Sequence, residues 1–319
     1  MENTLFRTLP TNGHSRIRLS LSEKIAENPS RQERFLRLLP LWEKTADEVG
    51  RLMGKTIPMD KRIEVELHLK SDYSALMEKN FGMYVPQDDL ILVNLSKNGK
   101  RAKKLMHNPS LIAAIPNPAE RYSYSLELSL TSCFAHEFSH KVYDCWINPQ
   151  ASANVEQITW KATHSKSRLG RLRWEANFLL MKIFSEGFAT WVQMQMEPWI
   201  SRSVGGASLA CNLPVAKEGH ETAGPSETDI DARLHKPIRY GPWGRLRLIL
   251  KILHDGSSGK TRKVYNLGLD FILRVLDDLH LSDAGPVLGS PPKSLVEIIW
   301  PERYVRRIRD DMERGSAAP

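Results

Sequence analysis

Residues Cys133–Asp144 read CFAHEFSHKVYD. Two histidines stand four positions apart, and a glutamate directly follows the first. On a helix, positions i and i+4 lie one turn apart on the same face, so His136 and His140 can aim ring nitrogens at one ion. Zinc–nitrogen bonds of about 2.0–2.1 Å suit that reach. Glu137 lies about 100° further round the helix, beside the pair rather than over the ion. There it can take a proton from an activated water, as general base and not as ligand. Leu126, Leu128, Leu130, Phe134, Ala135, Phe138 and Val142 surround the motif on all sides, the pattern of a buried helix. Two imidazoles and a carboxylate in such a setting cost roughly several kcal/mol unless they find partners. A metal ion with its water satisfies all three. A closed hydrogen-bond network is the other arrangement that does.

A catalytic zinc takes a third protein ligand and keeps one position open. The segment FSEGFATWV, Phe184–Val192, offers Glu186. By helical position it sits at a border, with Ile183, Gly187 and Met194 on one side and Glu175, Lys182 and Gln193 on the other. A cleft ligand occupies such a border, and so does an ordinary surface acid. Gly187 has no side chain, which would let this helix approach the first closely. His164 is the alternative third ligand.

The pair HEFSH and EGFATW resembles the gluzincin zinc metallopeptidases. The similarity covers mainly residues 62–196. It implies a zincin-like fold, one zinc per chain held by His136, His140 and Glu186, and peptide-bond hydrolysis with Glu137 as base. It also implies a Tyr or His from the C-terminal part to steady the oxyanion, for which Tyr240 is the first choice and His235 the second. Many gluzincins place an Asp four residues after the ligand glutamate to orient a histidine. Here that position is Thr190, and Asp144 is the substitute one turn after His140. Metzincins fit less well, because Tyr143 and Trp146 stand where that pattern needs Gly and His. Spartan-type repair proteases use a third histidine, and His164 lacks the glycine that follows it there.

These groups need elements to hold them. Arg62–Leu69, RIEVELHL, alternates apolar and polar as a half-buried strand does. Asp88–Ser96 is a continuous apolar run that reads as a more buried strand, and the part around Leu90–Leu95 is a candidate edge for an extended peptide. Phe35, Leu38, Leu39, Trp42, Ala46, Val49 and Met53 recur at helical spacing, with Pro40 starting a new segment or kinking the first. The motif helix is expected over about Leu126–Cys145 and the Glu186 helix over about Leu172–Met196. Two further helices are expected over WGRLRLILKILHD and LGLDFILRVLDDL. Residues 1–29 read as polar and loose. Cys133 reads as a small core residue.

The expected fold class is therefore α+β. A small mixed sheet and the active-site helix form an N-terminal lobe, and a mainly helical lobe follows. Along the chain, 1–60 is an N-terminal tail and helical segment and 61–197 the catalytic core. A long Gly/Ser/Pro-rich loop or lid spans 198–234, and 235–319 is the helical C-terminal lobe.

The chain has 319 residues and a formal net charge of +8, which permits an acidic partner without requiring one. KATHSKSRLGRLR, Lys161–Arg173, is basic with no acid. It reads either as a solvated face or as a nucleic-acid contact. The reading for partners is a peptide or protein substrate, with a nucleic-acid-associated protease and a zinc-binding non-peptidase as alternatives and no membrane partner. No apolar run has membrane-spanning length. Three cysteines, Cys133, Cys145 and Cys211, make no disulfide framework, and a reducing cytoplasmic home is expected. Arg7, Arg16 and Arg18 among Ser and Thr form a weak organelle-targeting pattern.

Overall fold

The computed structural model describes residues 6–9, 15–58, 60–69, 80–149, 157–158, 160–161, 163–210, 239–255 and 261–316. It is an α+β protein, mainly helical, with one mixed sheet of five strands. The chain divides into two compact units assembled from separated stretches rather than consecutive ones. The first comprises Met1–Val49, Ile57–Phe138 and Gln193–Lys236; the second comprises Gly50–Thr56, Ser139–Val192 and Pro237–Pro319.

The first unit holds the sheet. Its strands are β1 (Phe6–Thr8), β2 (Ile17–Ser22), β3 (Ile63–His68), β4 (Gly82–Val85) and β5 (Leu90–Asn94), in spatial order β1-β2-β3-β5-β4. The central strands β2, β3 and β5 run parallel, and β1 and β4 flank them antiparallel. Ile17 pairs with Ile63 and Val65 with Ile91, which stacks fully buried aliphatics across the sheet. The described part of the amino-terminal region is thus strand and helix where a loose segment was expected. Ile17, Leu19 and Leu21 alternate with Arg18 and Ser20, a short strand signal diluted by its polar neighbours.

A one-turn helix α1 (Glu23–Ala26) leads into α2 (Pro29–Leu52). The latter is one continuous helix with Pro40 inside it. Pro40 is exposed, while Phe35, Leu38 and Leu39 before it and Trp42, Ala46 and Val49 after it are buried. That shared apolar stripe outweighs the hydrogen bond lost at the proline. Arg16 anchors the start of β2 to α2, its guanidinium 2.7 Å from Asp47 and its amide donating to Glu43.

Helices α3 (Leu95–Leu105) and α4 (Pro109–Ala114) precede α5 (Pro118–Val142), the motif helix. In the first unit Phe134 of α5 stacks on Trp42 at 4.8 Å and on Phe138 at 5.5 Å. The Trp42 indole donates to Thr131 Oγ1 at 3.1 Å. Buried amide Asn98 of α3 donates to the Phe81 carbonyl and accepts from Ser129 of α5, tying the start of β4 to both helices.

A π-helical turn, Tyr143–Ile147, continues α5, and α6 (Arg168–Ala210) carries Glu186. Helix α6 passes through Pro198, so residues 198–210 are helix where the composition suggests a loop. Val192, Met196 and Ile200 are buried at four-residue spacing, and this stripe carries the helix past the proline. The remainder of the expected lid, 211–234, lies outside the described residues.

The second unit also contains α7 (Pro242–Asp255), α8 (Thr261–Leu279), α9 (Gly285–Gly289), α10 (Leu295–Ile299) and α11 (Pro301–Ser316). Tyr143, Phe184, Phe188, Phe271 and Tyr304 form a chain of aromatic contacts 4.9–6.5 Å apart. Buried Arg245 donates to Asp270 at 2.9 Å and to the Ile299 carbonyl at 3.0 Å, and Arg274 binds the other Asp270 oxygen. Among the described residues no helix is long and apolar enough to cross a membrane.

Candidate metal centre

Helix α5 is apolar enough to be buried on nearly every side, yet Ser125, Ser129, Thr131, Ser132, His136, Glu137 and Ser139 are buried along it. Such groups persist in a core only with partners. His136 and His140 fall on one face, as their spacing requires. One ligand atom each from His136, His140 and Glu186 lie within 4.8 Å of one another, the single such group among the described residues. His140 Nε2 is 3.8 Å from Glu186 Oε2. Ligand atoms on a tetrahedral zinc stand roughly 3.3–3.5 Å apart, given its bond lengths. Closing on an ion would draw the three atoms nearer to one another, and two imidazoles with a carboxylate suit zinc.

The neighbour of Glu186 supplies a partner for a ring nitrogen of His140. Ser185 Oγ is 2.9 Å from His140 Nδ1. With Nδ1 protonated, the ring donates to Ser185 and leaves the Nε2 lone pair for a metal. Phe188 packs edge-on against the same ring at 5.7 Å. Thr190 is buried, and its hydroxyl donates to the Glu186 carbonyl at 2.6 Å, so it secures the ligand-bearing turn instead of a histidine. A lone serine beside a glutamate carries no distinguishing signal, and the sequence could not have singled it out.

Gly187 does make a close helix approach, but its partner is α8. A Cβ there would stand 2.4 Å from the Gly268 carbonyl carbon. The two glycines let α6 and α8 touch backbone to backbone within the second unit, fixing the turn that presents Ser185 and Glu186.

Glu137 sits against the sheet in the first unit. The Tyr84 amide of β4 donates to its Oε2 at 3.0 Å. Gly82 makes that possible, because a Cβ there would lie 2.7 Å from Cys133 Sγ and 2.9 Å from Glu137 Cγ. Strand β4 is one edge of the sheet among the described residues, β1 being the other, and β5, the expected edge, is interior between β3 and β4. Burial, with the nearby Glu137 carboxylate, pushes the Cys133 thiol up and keeps it neutral, in line with a core residue.

His164 is not in the triad. It is exposed, stacked on Trp160 at 4.6 Å. The Tyr240 carbonyl accepts from Arg274 at 3.2 Å, and a Cβ at Gly244 would stand 3.8 Å from the Tyr240 side chain. His235 lies outside the described residues. No protein-family model matches the chain, and no curated protein or solved structure is similar to it.

Proposed function

We propose that the protein is a one-zinc hydrolase of gluzincin type that cleaves peptide bonds. The observation that carries this reading is the convergence of His136, His140 and Glu186 within 4.8 Å, with Glu137 next in sequence to the first ligand. A zinc ion bound there acidifies water and polarises a carbonyl. Glu137 accepts the proton and delivers it to the leaving amine nitrogen. The backbone amide of Tyr84 keeps its carboxylate aimed. Ser185 holds His140 in the ligating orientation. Tyr240 or His235 steadies the oxyanion. An extended substrate pairs with the outer edge of β4, the strand that touches the base.

The test is metal content by mass spectrometry for the wild type, His140→Ala and Glu186→Ala. About one zinc per wild-type chain, lost in both variants, is the expected result. A peptide-library digest with Glu137→Gln as blank then reads the chemistry. Zinc retained without cleavage in Glu137→Gln supports the base. Cleavage of a verified substrate at the wild-type rate by that variant refutes it. Zinc without any cleavage by the wild type would favour a metal-binding protein that is not a peptidase.

A further inference from the structure

The start of α6 combines two properties that neither the metal site nor a solvated face accounts for. From Lys161 to Arg173 the cations are Lys161, Lys166, Arg168, Arg171 and Arg173, with no acid among them. In this segment and immediately before it large apolar side chains face solvent: Leu169 is 80% exposed, Trp160 61% and Leu172 45%. The helix start is well formed, because Ser167 Oγ accepts from the Gly170 amide at 3.0 Å. On the helical wheel Leu169 and Leu172 lie about 60° apart, with Arg173 and Arg168 each about 40° outside them. Two exposed leucines are thus bracketed by guanidiniums on the helix surface. Trp160 precedes the helix in the chain, one ring face covered by His164.

We propose that this segment docks the protein on an anionic membrane surface, the leucines and Trp160 entering the interface and the flanking cations reaching the headgroups. The expectation of no membrane partner rested on the lack of a spanning segment, and peripheral attachment requires none. The aliphatic pair selects lipid over nucleic acid: phosphates engage the arginines but give two exposed leucines nothing to bury against. A second basic surface in the chain sharpens the point. Helix α3 carries Lys97, Lys100, Arg101, Lys103 and Lys104 within eight positions, a denser run, with Lys100, Lys103 and Lys104 exposed. None of its apolar residues is among the exposed large side chains. It has the charge without the insertion.

The full chain is sedimented with phosphatidylcholine vesicles and with vesicles that also contain about 30% phosphatidylserine. Binding to the anionic vesicles only is expected. The triple change Arg168→Gln, Arg171→Gln, Arg173→Gln lowers the affinity about a hundredfold. Leu169→Ser with Leu172→Ser, both at exposed positions that leave the fold intact, lowers it about tenfold. Lys100→Gln, Lys103→Gln, Lys104→Gln on α3 lowers it less than about threefold. Three results overturn the proposal: no binding to anionic vesicles, an α3 variant as damaged as the α6 arginine variant, or full binding by the leucine variant. Displacement of the vesicles by single-stranded DNA, with DNA binding lost in the arginine variant and kept in the leucine variant, assigns the surface to nucleic acid instead.

Discussion

Two groups on one helix are held in different ways. Glu137 is aimed by a backbone amide, that of Tyr84 in an edge strand. His140 is aimed by a side chain, that of Ser185. The first arrangement depends on how closely a strand can lie against α5, and so on the absence of a side chain at Gly82. The second depends on one hydroxyl and can be removed without moving the main chain. Chemistry that must survive sequence drift is safer under the first scheme; metal affinity is easily tuned under the second.

The strongest way to break this contrast is to move the backbone under Ser185. Gly187→Ala forces a methyl against the Gly268 main chain, where no rotamer relieves it. The expected loss is about 3 kcal/mol of stability with weaker zinc binding, read by thermal melting and chelator competition. Gly82→Ala is next. The methyl meets Cys133, the Glu137 stem and, at 3.0 Å, the Leu92 carbonyl. About 1–3 kcal/mol should be lost. Zinc should be retained and hydrolysis should fall, because only the base is displaced. Ser185→Ala sharpens the comparison from the other side, with an unchanged melting temperature in the metal-free protein. Zinc affinity should drop about tenfold, ~1.4 kcal/mol, when measured against a competing chelator.

The smallest effect concerns Glu127 on the same helix, away from the His136–His140 turn. Burial holds its carboxyl above the ordinary carboxylate range, although Ser123 and two arginines oppose the shift. The folded state then binds the proton more tightly than the unfolded chain, so stability falls as pH rises through that window. Glu127→Gln should flatten the fall slightly in melting curves taken from mildly acidic to neutral pH. A steeper fall would reverse the sign assigned to this group.

Much of the candidate metal site was legible because its spacing repeats a helical turn. His136, Glu137 and His140 need no tertiary information to share a helix, and Glu186 followed from resemblance once that motif was in hand. The parts that tertiary structure decides were not legible. A single serine preceding Glu186 looks like any other. Gly187 announced a close approach, but nothing local said that Gly268 would be the partner. Strand β2 was hidden because three alternating aliphatics among arginine and serine satisfy a loop as readily as a strand. Which strand is the edge depends on pairing, and the more apolar run at β5 turned out to be interior. At Pro198 the local rule against proline in a helix was overridden by buried neighbours a turn away on either side.

The parallel pairing of β2 with β3 has a consequence for how the chain is made. Ile17 must wait for Ile63, and at roughly 5–20 residues per second that is a delay of a few seconds on the ribosome. Until then the hairpin of β1 and β2 offers an open row of amides and carbonyls with fully apolar Ile17, Leu19 and Leu21 beside it. Newly made chains are most prone to mispair with one another in that interval. Their yield should depend on synthesis rate and on co-translational chaperones more than on the stability of the finished fold.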